Sequence, residues 1–238
     1  MNIINPSRTA LLLVLSLLWA GSAMAEKQIL PETEGFWEYT DLITSKGESL
    51  PLTGVFLIKD GVFLQQSIFN GDSFEEQGSM AHAGTCWAGG AGLLLLANQT
   101  LSMSPTEDEK LTSMGSTEHD LKVTRKGDDL TLVFGAGTST IQTFKKIADG
   151  SDMQVYQLAD GTLALTNGYF ILVSGSAQGA VSGYGKYTQE GNALTLDVTR
   201  WSQSDGVATR NLKDITLKAF FDGKSLNLPD GKTFSVVD

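Results

Sequence analysis

The chain has a single cysteine, Cys86, in 238 residues. It can form no internal disulfide, so stability must come from a hydrophobic core and backbone ladders. In an oxidising compartment a lone thiol is buried, paired between chains or functional. Basic residues are also scarce: 17 Lys and Arg stand against 27 Asp and Glu, for a net charge of −10. No basic patch is present. That argues against the classes that work through clustered cations, nucleic-acid binding and docking on anionic lipid. Long apolar runs are missing beyond the first 25 residues, so no membrane insertion is expected. Helical periodicity is missing too, apart from one turn's worth at Pro105 to Lys110. There is no Gly-x-Ser-x-Gly, phosphate-binding loop or His-Glu-x-x-His to announce a reaction.

The first 25 residues read as a leader. Arg8 precedes an apolar run from Leu11 to Trp19, and Ala23-Met24-Ala25 is a small-x-small cleavage site before Glu26. Cleavage removes one arginine and no acid, leaving 213 residues with a net charge of −11. Cys86 lies far from that site, so no lipid-anchored N-terminus is expected. The expected location is periplasmic or secreted, in soluble form.

What is present is a duplication. Gln77 to Trp87 aligns without a gap on Gln178 to Tyr187 plus the residue that follows, and Leu93 and Leu95 fall on Leu194 and Leu196. Upstream, Gly54 to Phe63 matches Gly161 to Phe170. Downstream, Gly127 to Leu132 matches Gly223 to Leu228, and each copy closes near a Thr-Phe pair, Thr143-Phe144 and Thr233-Phe234. Repeat 1 is placed at 32–147 and a shorter repeat 2 at 152–238, joined by a polar linker. Self-similarity of this kind sets the architecture, and differences between copies then report specialisation.

The punctuation is all-β. Asp60-Gly61, Asp160-Gly161, Asn167-Gly168, Asp222-Gly223 and Asp230-Gly231 read as hairpin turns, because type I′ turns need positive φ that Asp, Asn and Gly tolerate best. Between them apolar residues alternate with polar ones, as in Leu194, Leu196 and Val198. Repeated hairpins with one buried face predict two packed antiparallel β-barrels, since closure removes exposed edges.

Strand phase assigns faces. Repeat 2 places Lys186 and Thr188 outward, so by alignment Met80, His82, Gly84 and Cys86 point inward in repeat 1. Leu94 and Leu96 match Thr195 and Asp197, and their apolar character predicts a contact with repeat 2. Met80, His82 and Cys86 on one face admit two readings. One is a soft-metal site for copper or zinc. The other, preferred, is a barrel interior with a satisfied histidine and a buried reduced thiol, with no metal and no cofactor. Cys86 and His82 are ~13 Å apart along a strand, too far for a thiolate–imidazole pair. His119, among polar neighbours, reads as a solvated residue.

The set Gly35-Phe36-Trp37, a Thr53-Gly54 strand running into Asp60-Gly61, His82-Ala83-Gly84-Thr85, Arg125 to Leu130 and Phe144-Lys145-Lys146 resembles bacterial lipocalin-like domains of the calycin superfamily. The resemblance covers repeat 1, and it reaches repeat 2 only through the duplication. It implies a barrel closed by Gly35 and Trp37, with Trp37 under Lys145 or Lys146, and a small apolar ligand inside. The candidate ligand-binding residues are Phe56, Ile58, Met80, His82 and Cys86. Repeat 2 has Tyr156-Gln157 where repeat 1 has its G-x-W, and is expected to be filled by Leu163, Leu165 and Tyr187. Three function classes stand: a ligand container, a protein-interaction module, and a small-barrel hydrolase or isomerase.

Overall fold

The computed structural model describes residues 28–90, 92–135 and 140–237. The expected leader at 1–25 lies outside them. The first sheet is built from β1 (Gly35–Ile43), β2 (Ser49–Leu50), β3 (Leu52–Lys59), β4 (Val62–Phe69), β5 (Ser79–Gly89), β6 (Gly92–Met103), β7 (Leu111–Met114), β8 (Thr117–Lys126), β9 (Asp129–Phe134) and β10 (Ile141–Ala148). The order β10-β9-β8-β6-β5-β4-β3-β1 closes on itself through β10–β1 pairing, with Tyr39 opposite Phe144. The result is a closed, eight-stranded antiparallel barrel, with β2 and β7 as short additions. The second sheet runs in chain order through β11 (Gln154–Leu158), β12 (Gly161–Thr166), β13 (Tyr169–Ser176), β14 (Gly179–Glu190), β15 (Ala193–Ser204), β16 (Thr209–Phe221), β17 (Ser225–Asn227) and β18 (Thr233–Ser235). Its edges meet only at the Leu158–Val236 bridge, so this barrel is nearly closed.

Local sequence explains the hairpins. Asp60 and Gly61 have φ of 50° and 76°, and Asn167 and Gly168 have 47° and 78°, the type I′ geometry, at equivalent turns. The other Asp-Gly pairs differ. Ala159 and Asp160 make their turn while Gly161 already opens β12. At Asp222 and Asp230 the carboxylate accepts the N–H two residues on, a local alternative that leaves positive φ to Gly223 and Gly231.

The duplication extends to an irregularity. In β6 the register skips Asn98, and in β15 it skips Thr199, the equivalent residue. Each bulge brings a carbonyl against a glycine of the preceding strand. A Cβ on Gly84 would lie 2.0 Å from the Leu96 carbonyl oxygen, and one on Gly185 would lie 2.1 Å from that of Asp197. Only glycine fits there, which is why glycine falls on glycine in the two copies.

Each barrel has its own apolar interior, and a third apolar cluster joins them. That third cluster uses the outer faces of β3, β4 and β5 against β12, β13 and β14. Leu57 and Ala164, Leu64 and Ile171, and Ala83 and Tyr184 are equivalent positions of the two repeats, and all six belong to it. Gln66 donates to the Ser182 hydroxyl at 2.9 Å and to its carbonyl at 3.2 Å, and the Phe36 and Tyr169 rings lie 5.3 Å apart. Leu94 and Leu96 are not part of this cluster. They are half-buried on the outer face of β6, where Leu94 pairs with Trp87 of β5 and Asp120 of β8. The interface centres on the neighbouring strands β3 to β5, and apolar runs in β3 and β4 leave both faces of the sheet buried there.

Candidate functional site

One end of barrel 1 is sealed. A 3-10 turn at Pro31–Thr33 crosses it, and the Trp37 indole N–H donates to the Thr33 carbonyl at 2.9 Å. Lys146 Nζ sits 5.4 Å and Arg125 Cζ 5.5 Å from the Trp37 ring centre, two cation–π contacts at the base. A Cβ on Gly35 would fall 2.7 Å from Lys146 Cε, so Gly35 keeps the space for that side chain. Glu34 ties the adjacent hairpin down, accepting from Lys59 Nζ at 2.7 Å and from the Asp60 N–H at 3.0 Å. Among the sequence-derived residues, Phe56, Ile58 and Cys86 pack in the core above this base. Burial pushes the Cys86 thiol up to about 12, with Glu34 adding to the effect.

The other end opens into a cavity of about 440 Å³. Its walls carry Phe63, Leu95, Phe134, Met80, Leu42 and Phe69. Met80 and His82 are therefore brought together there, while Phe56, Ile58 and Cys86 are not among the lining residues. His119 joins them from β8, its register set by pairing with Leu95. His82 and His119 are the chain's only histidines, and their rings lie 6.5 Å apart, edge to face. His119 also meets the Phe134 ring at 5.5 Å.

The electrostatics are those of a neutral chamber. Burial, reinforced by His119, pulls His82 down to about 4, and burial also lowers His119. Both imidazoles are uncharged at neutral pH. His82 Nδ1 is buried with no hydrogen-bond partner. Gln65, Ser67 and Gln142 are tied together through Tyr39. The Tyr39 hydroxyl donates to Gln142 Oε1 at 2.9 Å and accepts from the Gln65 amide and from Ser67 Oγ, the latter at 3.2 Å. Among the described residues no group of three or more His, Cys, Asp or Glu is placed to hold a metal ion. Among the described residues lining the cavity there is no carboxylate.

The equivalent level of barrel 2 is filled. Register places Gly183 where His82 stands, Trp201 where Thr100 stands, Leu172 where Gln65 stands and Leu217 where His119 stands. Trp201 lies over Gly183, its ring carbon 2.1 Å from where a Cβ would be, and is 2% exposed. Leu163 and Leu165 complete that core, with Tyr187 half-buried against it. Barrel 2 keeps a cleft of about 400 Å³ at its own rim. Turn and strand-end residues such as Ala159, Asp160, Gly175 and Asp205 line its mouth, and Leu158, Val181 and Phe234 of the barrel-2 core line it too. A further groove of about 370 Å³ runs between the barrels, where Gln99 donates to the Gly175 carbonyl at 2.7 Å. The barrel-1 cavity reaches down to the level of His82, the level that Trp201 fills in barrel 2.

Sequence reasoning missed His119, Gln65, Ser67 and Gln142. For His119 a signal existed: it shares strand parity with Leu121, which is fully buried. No helix among the described residues is long and apolar enough to cross a membrane. Comparison of the chain with models of protein families, with curated proteins and with solved structures returned no match.

Proposed function

We propose that this is an exported binding protein that holds a small apolar ligand in the barrel-1 cavity, in the manner of lipocalin-like (calycin) proteins. The observation that carries the reading is the contrast between the copies. One ancestral barrel has been filled by Trp201 over Gly183, and the other keeps an open chamber at that level. Its volume falls within the ~300–1,000 Å³ typical of small-molecule pockets, and apolar walls with a few placed polar groups are the usual composition. The base, with Lys146 against the Trp37 ring, fits what the lipocalin resemblance implies for the closed end. Export follows from the leader at 1–25 and fits an acidic chain that folds without disulfides.

The test is to purify the full-length gene product from its own compartment and analyse it by native mass spectrometry and solvent extraction. A stoichiometric small molecule, absent from a Thr100→Trp variant, supports the reading. A ligand-free protein that also fails to bind a neutral apolar fluorophore such as N-phenyl-1-naphthylamine overturns it.

A further inference from the structure

Among the described residues, every side chain lining the barrel-1 cavity is either apolar or an uncharged polar group at neutral pH. A fatty carboxylate or an alkylammonium entering this chamber would leave water with no opposite charge to meet it. An unpaired buried charge is among the most costly arrangements a protein can hold. An uncharged head has no such cost, and one partner is waiting for it. Of the cavity's polar groups, Gln65, Gln142 and Ser67 are engaged with Tyr39 and one another. His82 Nδ1 is the buried side-chain atom of the lining left without a partner. A neutral imidazole offers one donor and one acceptor, and a hydroxyl or amide head satisfies either. Barrel 2, filled at this level, has glycine at the same position, so the unpaired nitrogen belongs to the copy with the chamber.

Building on the reading of barrel 1 as a ligand container, we propose that its ligand is an electrically neutral amphiphile, an apolar chain or ring system bearing a hydroxyl or amide group. His82 binds that head, and anionic and cationic analogues of the same skeleton are rejected. The acidic surface is a separate influence, because it repels anions at a distance and its effect is screened by salt. The chamber's own preference is not screened.

The experiment is displacement of N-phenyl-1-naphthylamine from the purified protein by 1-decanol, decanoate and decylamine. It is run at neutral pH, below each compound's aggregation limit, in low and high salt. Decanol should displace the probe at concentrations at least ~100-fold lower than either charged analogue, since an uncompensated ion costs several decades in affinity. That ratio should persist in high salt. His82→Leu should weaken decanol ~10-fold relative to the probe, the loss of one hydrogen bond to a buried group. His82→Gln, which keeps a donor and an acceptor, should recover most of it. Decanoate or decylamine binding as tightly as decanol overturns the proposal while leaving the container reading intact. So does a preference for decanol that disappears in high salt, or one indifferent to both His82 variants. Absence of any probe binding overturns the container reading itself, and the proposal with it.

Discussion

Replacing His82 by leucine should stabilise the protein, and the gain should grow as pH falls. At neutral pH the imidazole is uncharged but carries a buried nitrogen without a partner. Leaving such a group unsatisfied costs ~1–3 kcal/mol, which an apolar side chain beside Phe63 and Leu95 would not incur. On acidification a second term enters. Burial and His119 hold His82 at about 4 in the folded state, against ~6.5 in an unfolded chain. The unfolded state then binds more protons between those values, so the folded state loses stability as pH falls through that window and gains nothing above it. A shift of that size corresponds to ~3 kcal/mol, fully expressed only near pH 4 and below. The assay is urea unfolding followed by tryptophan fluorescence, at a series of pH values from neutral down to about 4, for wild type and His82→Leu. The variant should show a higher midpoint with unchanged slope at neutral pH. The difference between the two proteins should widen on acidification, which cancels the general effect of titrating surface carboxylates. A variant less stable at neutral pH, or one whose deficit in acid matches the wild type's, would refute the reasoning. It would mean that His82 is either well satisfied or already exposed to water in the folded state.

Thr100→Trp combined with His82→Gly transplants the barrel-2 arrangement into barrel 1, and should abolish binding of a neutral apolar probe while circular dichroism stays that of an intact β protein. Leu57→Ala, at the centre of the inter-barrel cluster, should cost ~2–5 kcal/mol in urea unfolding. Leu94→Thr with Leu96→Asp, on a half-buried outer face, should change stability far less, and a larger loss from this double variant than from Leu57→Ala would place the interface elsewhere. Cys86, 5% exposed and with its thiol pushed up to about 12, should react with a thiol reagent only at the rate of unfolding; rapid labelling of the native protein would count against its burial.

The barrels were legible because their determinants are local. Type I′ turns at Asp60-Gly61 and Asn167-Gly168, period-two strands and a gapless internal alignment all act within a few residues of themselves. The packing of one barrel on the other was not read correctly, although its signal was present. Val55 to Ile58 and Phe170 to Val173 are runs without a polar residue, and a strand that is apolar on both parities is buried on both faces. Leu94 and Leu96 drew attention instead because they differ between copies. The true interface uses the same face of both copies, so comparing one with the other could not reveal it.

The site shows a different limit. Strand parity says which side of the sheet a residue faces but not how far along the barrel axis it sits. Met80, His82 and Cys86 share one parity on β5, yet only the first two line the chamber, and Cys86 falls toward the packed base with Phe56 and Ile58. Depth depends on where the 3-10 turn and Trp37 seal the barrel, a tertiary fact. His119 reaches His82 because β8 pairs with β6 in a register that sets it opposite Leu95. That register follows the break between β7 and β8 at Gly115 and Ser116, whereas the equivalent β16 runs unbroken. The two histidines are 37 residues apart in the chain, and neither one's neighbours mention the other. What marks them as a pair is the second copy, which holds Gly183 and Leu217 at the same two positions, with the buried Trp201 over Gly183. A duplicated protein thus carries its own control: the copy filled at mid-strand identifies which residues of the open copy are there for something other than packing.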